Sequence, residues 1–300
     1  RKCSCFTTHD NSCWNDIISS MYSDYFNEWF SYLLLRATTI MKILKLGQML
    51  GGSNAPSAAG FENLYSLEFD GVNDVVTMGD QLVFTPNSSG AGRGFSVSCW
   101  IKTSSNQKGV IGKIAKSGQM EWSLIAARFG NPQFFVYSAG DSANFQVLNA
   151  TVDVCDGNWH HIVGTFNLAD ATSSIIIYVD GTPYSAALGN ATYNNSGTWV
   201  GVSNTTSQLM MGEIYNQAAL PGNIDEVSLF DDVLSAAQVT SFYNSGTPTD
   251  LSSENYLLGY WRNGDPTGTG AFPTIVDQSS NSNDGTMTNM ASGDIVTDVP

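Results

Sequence analysis

Few side chains in this chain have the type and spacing that chemistry requires. The best acidic stretch is Gly222-Asn-Ile-Asp-Glu-Val227, which carries Asp225 and Glu226. A retaining glycosidase holds two carboxylates about 5–5.5 Å apart. On a strand this needs residues i and i+2 on one face, because neighbours point to opposite faces. Alternation therefore separates Asp225 from Glu226, and Asn223 stands where the partner carboxylate would have to be. His160-His161 is divided in the same way, so the two rings cannot share one ion without a bulge. The third histidine, His9, lies far upstream. No Gly-x-Ser-x-Gly elbow joins a strand to a helix. Cys155 precedes a turn and has no basic neighbour to activate its thiol. No catalytic residue is expected.

The charge balance removes other classes. Lys and Arg number 12 against 27 Asp and Glu, a net charge of −15. A phosphate backbone needs clustered cations, so nucleic acid is not a partner. Excess carboxylate suits solubility and also divalent cations. Charged residues make up only 13%, so Ser, Thr, Asn and Gly must supply the polar surface. That composition is common in all-β extracellular and virion proteins. Long apolar runs are missing, so no membrane insertion is expected. The five cysteines are odd in number and scattered, which is no disulfide framework. Cys99 reads as a small buried hydrophobe.

The elements that would position any site are short strands. Residues 156–182 set the pattern: a turn at Asp156-Gly157-Asn158, a strand Trp159–Phe166, a polar loop, a strand Ile175–Val179, and a tight Asp180-Gly181 turn. Phe95–Thr103 alternates, with Trp100 on the otherwise polar face, so that face is expected to be covered too. Further strands are expected at Leu64–Phe69, Asp74–Met78, Gly109–Ile114, Glu121–Ala127, Gln133–Ser138, Asn144–Asn149, Thr198–Gly201 and Ile224–Phe230. Many short strands at regular spacing predict a β-sandwich or barrel. One helix interrupts them: Ser235 and Gln238 form a capping box ahead of Val239, Phe242 and Tyr243.

The first 40 residues differ from the rest. They hold Cys3, Cys5 and Cys13 and an aromatic run from Tyr22 to Tyr32, and Met41 then opens a start-like stretch. The expected organisation is a leader at 1–40 translated from upstream sequence, an N-terminal segment and linker at 41–60, a β domain at 61–247, and a C-terminal extension at 248–300 that could complete the sandwich.

Six motifs in order carry a family resemblance: Leu67-Glu-Phe-Asp-Gly71, Phe95-Ser-Val-Ser-Cys-Trp-Ile-Lys102, Asp156-Gly-Asn-Trp-His-His-Ile-Val163, Tyr178-Val-Asp-Gly181, Gly222–Phe230, and the helix Leu234–Tyr243. Together they resemble the laminin G-like, concanavalin A-like lectin and glucanase jelly rolls over Leu64 to Gly246. The resemblance implies two antiparallel sheets, one concave, with sugar or protein ligands at the concave face or rim loops. It also implies a structural calcium site. Asp70 and Gly71 match an early turn and Asp225 a late strand, with Asn73 able to add an oxygen. Aromatic platforms and amides for a ligand would come from the loop-like region 186–216, where Tyr193, Asn194, Asn195, Trp199 and Tyr215 are the candidates, with Tyr184 before it. A Tyr-Trp and Asn-Asp-Gly-Thr tail on one such low-charge domain is similar to structural proteins of marine tailed bacteriophages.

The reading is an all-β concanavalin A-like jelly roll with one short helix. The expected function is a non-enzymatic virion surface or tail-associated structural protein, or otherwise extracellular, that contacts glycans or other virion proteins as a possible oligomer. The alternatives are a secreted bacterial carbohydrate-binding lectin module and, third, a glycoside hydrolase.

Overall fold

A computed structural model describes residues 61–80, 94–106, 108–115, 119–128, 131–138, 140, 142–168, 175–214, 218–264 and 272–300. The expectations for the leader, the linker and Tyr215 lie outside these residues. In chain order the strands are β1 (Ser66–Asp70), β2 (Val75–Thr77), β3 (Gly94–Lys102), β4 (Lys108–Ile114), β5 (Met120–Arg128) and β6 (Asn131–Tyr137). Next come β7 (Phe145–Ala150), β8 (Trp159–Asn167), β9 (Ile175–Val179), β10 (Thr182–Tyr184), β11 (Ala191–Ser196) and β12 (Leu209–Met211). β13 (Pro221–Phe230) leads to the helix α1 (Ala236–Tyr243), and β14 (Leu257–Trp261), β15 (Thr274–Ile275), β16 (Gly285–Thr288) and β17 (Ile295–Val296) finish the chain.

The strands form two antiparallel sheets. One has eight strands in the order β10-β9-β8-β3-β13-β1-β17, with β14 also on β13. The other has nine, in the order β11-β7-β6-β5-β4-β12-β2-β16-β15. The chain after residue 248 contributes to both, since β14 pairs with β13, β17 with β1 and β16 with β2. This is the two-sheet antiparallel sandwich that the motifs imply.

Alternation places the core. Phe95, Val97, Cys99 and Ile101 of β3 point inward with Ile162 and Phe166 of β8, and meet Trp122, Leu124, Phe134 and Val136 of the other sheet. The Phe95 ring sits 6.0 Å from Trp122, 5.8 Å from Phe134 and 5.8 Å from Phe166. Fully burying each such side chain stabilises the fold by about 1.5–3 kcal/mol.

The outer face of the eight-stranded sheet is covered as well. α1 lays Val239 and Phe242 on Val163, Tyr178, Phe230 and Tyr260. Trp100 lies under this cover, stacked 5.8 Å from Tyr243. The capping box is present: the Ser235 hydroxyl accepts from the Gln238 amide, and the Gln238 side chain accepts from the Ser235 amide. The helix stops at Asn244, which takes the left-handed conformation.

The largest departures fall between 186 and 216. Thr198–Gly201 is an irregular segment, while the polar run Ala191–Ser196 becomes an edge strand. β11 pairs with β7, placing Tyr193 opposite Leu148 and Asn195 opposite Gln146. Leu148 faces the core, so Tyr193 is half-buried between the sheets; Asn195, on the same face of the strand, is exposed at the rim, and Asn194 points away.

Candidate functional site at the sandwich rim

The edge pair β7–β11 and the end of β8 enclose a cavity of about 220 Å³ at the rim of the sandwich. Phe145, Phe166, Leu168 and Trp199 form its apolar wall. Gln146, Asn167, Tyr193, Asn195, Ser196 and Gly197 supply the polar lining. None of these ten residues is charged. The structure thus brings together Tyr193, Asn195 and Trp199, three of the residues expected from sequence. Asn194 faces away from them.

The site is held firmly. The Tyr193 hydroxyl donates to Gln146 Oε1 at 2.8 Å. Trp199 tilts at 50° against Phe166 with ring centres 5.6 Å apart, and 37% of its surface stays exposed. The segment carrying it is tied at several points. Thr198 N donates to Asn144 Oδ1 (2.6 Å), Val200 N to Ser138 Oγ (2.9 Å) and Ser203 N to the Tyr137 carbonyl (3.0 Å). Further along, the Thr205 amide and hydroxyl both donate to Glu121 Oε1, and the fully buried Lys113 holds Glu121 at 3.2 Å. Gly197 makes the turn possible: it sits at φ 69°, and a Cβ there would lie 2.0 Å from Asn144 Oδ1. Strand propensity marks Trp199 and Val200 as a strand, but these ties hold them in an irregular segment that brings Trp199 to the cavity.

The carboxylate pair corrects the alternation argument. Asp225 pairs with Trp100 and Ser228 with Ser98, so Glu226 and Val227 together face Cys99. This is a β-bulge, with Glu226 at φ 48°. It turns both carboxylates toward the helix-covered side. Glu226 accepts from the Tyr260 hydroxyl and, at 3.3 Å, from Arg262 Nε. Asp225 accepts from Asn63 Nδ2 and from the Glu226 amide, both at 2.8 Å. Their exposures are 0% and 2%, so neither faces a substrate-accessible surface. Burial, then the Glu226 charge, push the Asp225 carboxyl well above its usual range. The pair joins Asn63 and Arg262 to the sheet, and Arg262 also sits 4.2 Å over the Phe61 ring.

The histidines divide as alternation requires. His161 lies under the helix, 5.0 Å from the Trp100 ring, with Nε2 2.8 Å from Ser98 Oγ. Burial pushes it down to about 4, so it is neutral at pH 7. His160 is on the other face, its Nδ1 2.8 Å from Asp180 and its Nε2 3.1 Å from Asp156. The hydrogen bond to Asp180 raises its pKa. Cys99 is fully buried, and burial pushes the Cys155 thiol up to about 11.

The residues expected to hold calcium do not fit it in this structure. Asp70 lies opposite Pro221, four positions along β13 from Asp225. At about 3.3 Å per residue the two are roughly 13 Å apart. Asp70 Oδ1 accepts from the Val72 and Asn73 amides, closing its own turn through Gly71. The Asn73 carbonyl accepts from Asn289 Nδ2 at 2.9 Å. Among the described residues no three His, Cys, Asp or Glu side chains are grouped to hold a metal.

Residues 73–240 match the sequence profile of the concanavalin A-like lectin/glucanases superfamily, in its laminin G-like branch. The chain belongs to this family. No curated protein matches it. Among solved structures, this lectin-fold chain is similar to a candidate carbohydrate binding protein from Bacteroides ovatus, with a TM-score of 0.53 and 16% identity over 79% of this chain. It spans 60% of that structure's length. It is also similar to a heptameric SAP-like pentraxin from Limulus polyphemus (TM-score 0.44, 13% identity, 60% of this chain and 82% of the other). A third similar structure is domain 4 of an extracellular arabinanase from Geobacillus stearothermophilus, solved with arabinotriose (0.40, 16%, 59% and 76%). Identities this low show the fold alone. No helix among the described residues is long and apolar enough to cross a membrane.

Proposed function

We propose that this lectin-fold chain is a non-enzymatic binding module, carried on a virion surface or tail, and that its rim pocket makes the glycan or protein contact. One observation carries the reading: Tyr193, Asn195 and Trp199 converge on an uncharged, partly apolar cavity at the sandwich rim. Concave sites that combine apolar walls with a few placed polar groups are where small ligands bind. The paired carboxylates, the one feature that suggests hydrolysis, are enclosed by Tyr260, Arg262 and Asn63. Low charge and a Ser, Thr and Asn surface favour an extracellular or virion setting.

A secreted bacterial lectin module is the second reading, favoured by the carbohydrate-binding name of the Bacteroides ovatus protein. Two measurements test the proposal. Mass spectrometry of purified particles from the source is expected to find this chain; its presence in a particle-free secreted fraction alone supports the second reading. A glycan array with the full chain, run with calcium and with a chelator, is expected to show saturable binding that calcium does not change. Turnover of a β-glucan that is lost in Asp225→Asn or Glu226→Gln overturns the non-enzymatic reading.

A further inference from the structure

We propose that the rim pocket takes one neutral sugar unit, a chain end or a branch, and rejects both acidic units and extended chains. This rests on the reading of the pocket as the binding site and adds the ligand class. Size is the first argument. The cavity is about 220 Å³, below the 300–1,000 Å³ of clefts that enclose drug-sized ligands. It holds one ring and has no room for a run of them. β7 and β11 line one side and the end of β8 the other.

Lining chemistry is the second argument. Trp199 and Phe166 give an apolar wall for the C–H face of a pyranose or furanose ring. Asn195 offers a carboxamide with donor and acceptor atoms, which suits the vicinal hydroxyls of a sugar, and the carboxamides of Asn167 and Gln146, the latter accepting from Tyr193, add polar atoms to the lining. A carboxylate or sulfate on the ring would find no Lys, Arg or His among the described lining residues. It would also approach a chain of net charge −15. Preorganisation is the third. The Tyr193 bond to Gln146 and the ties at Thr198, Val200 and Ser203 hold the walls in place, so little ordering cost falls on binding.

The test is calorimetry and saturation-transfer NMR on the full chain. The probes are neutral mono-, di- and tetrasaccharides of hexoses and pentoses, with uronic acid and sialyl counterparts. The variants are Trp199→Ala, Trp199→Phe and Asn195→Ala, each first checked for an unchanged melt and circular dichroism. The expected result is binding of at least one neutral sugar, with affinity that stops rising beyond the disaccharide. Trp199→Ala should weaken it at least 10-fold, Trp199→Phe less, and Asn195→Ala several-fold. Acidic sugars that bind and are lost in Trp199→Ala overturn the neutral class but leave the site standing. Affinity that climbs with chain length and is lost in Trp199→Ala overturns the single-unit claim alone. Neutral binding indifferent to all three variants overturns the site itself. No binding across the panel overturns both.

Discussion

Gly197 and Gly189 make a matched pair for testing how the rim is built. Both are left-handed, at φ 69° and 70°. A Cβ on Gly189 meets nothing within 4 Å, whereas one on Gly197 meets Asn144 Oδ1 at 2.0 Å and the Ala143 carbonyl at 2.7 Å. Gly189→Ala therefore costs only the left-handed backbone, about 1–2 kcal/mol. Gly197→Ala costs that and also displaces the Asn144 carboxamide, removing its bond to Thr198 N, another ~1 kcal/mol. In a domain of this size 1 kcal/mol shifts the melting temperature by about 2–4 °C. Gly197→Ala is thus expected to melt about 2–4 °C below Gly189→Ala. It should also loosen the Trp199 segment, read as faster amide exchange at Thr198 and Val200, which Gly189→Ala leaves unchanged. Adding Asn144→Ala to Gly197→Ala relieves the collision with the carboxamide but neither the 2.7 Å approach to the Ala143 carbonyl nor the lost bond, so it should recover little. Equal melts and equal exchange in the two single variants would refute the claim that Asn144 and Gly197 set the position of Trp199.

Three further outcomes follow from buried groups. Asp225 has its pKa raised on folding by burial and by Glu226, so its contribution is full at low pH and is lost as pH rises through the folded value. Asp225→Asn should therefore gain stability relative to wild type as pH rises, by thermal melts across pH 4–8; a variant that loses stability relative to wild type as pH rises contradicts this. His161 is depressed, so its stability is full above about 6.5 and declines as pH falls toward about 4. Its ring resonances should show no titration near pH 6, whereas those of His160, raised by its bond to Asp180, should titrate above the usual imidazole range. Cys155, raised to about 11, should label slowly with iodoacetamide at pH 7, and the buried Cys99 should not label until the chain unfolds.

Much of the sandwich is legible in the sequence because inward and outward faces alternate. β3, β8, β9 and β13 carry Phe95, Val97, Ile101, Ile162, Ile175 and Ile224 at strand spacing, and all are buried. Trp100 on a polar face signals the cover that α1 supplies. The bulge is not legible. Glu226 adopts a positive φ without being Gly or Asn, and only the register of β13 against β3 reveals it. That hidden residue is why simple alternation gives the wrong faces for Asp225 and Glu226. β11 is hard to read for another reason: as an edge strand it exposes Thr192 and every residue from Asn194 to Ser196, so Tyr193 is its one large inward residue. The rim pocket is half legible. Tyr193, Asn195 and Trp199 stand out as aromatics and amides in a polar stretch. Phe145, Gln146, Phe166 and Asn167 read as ordinary strand residues, and only the pairing of β11 with β7 beside the end of β8 brings them to the cavity.

The central claim is that the rim pocket is the binding site. A crystal structure of the full chain grown with a neutral disaccharide tests it most directly. The account predicts one sugar ring inside the cavity, its C–H face against Trp199 and its hydroxyls on the Asn195 and Gln146 carboxamides, with the second ring in solvent. Sugar density ordered elsewhere on the sandwich, with the rim cavity holding only water, would contradict it.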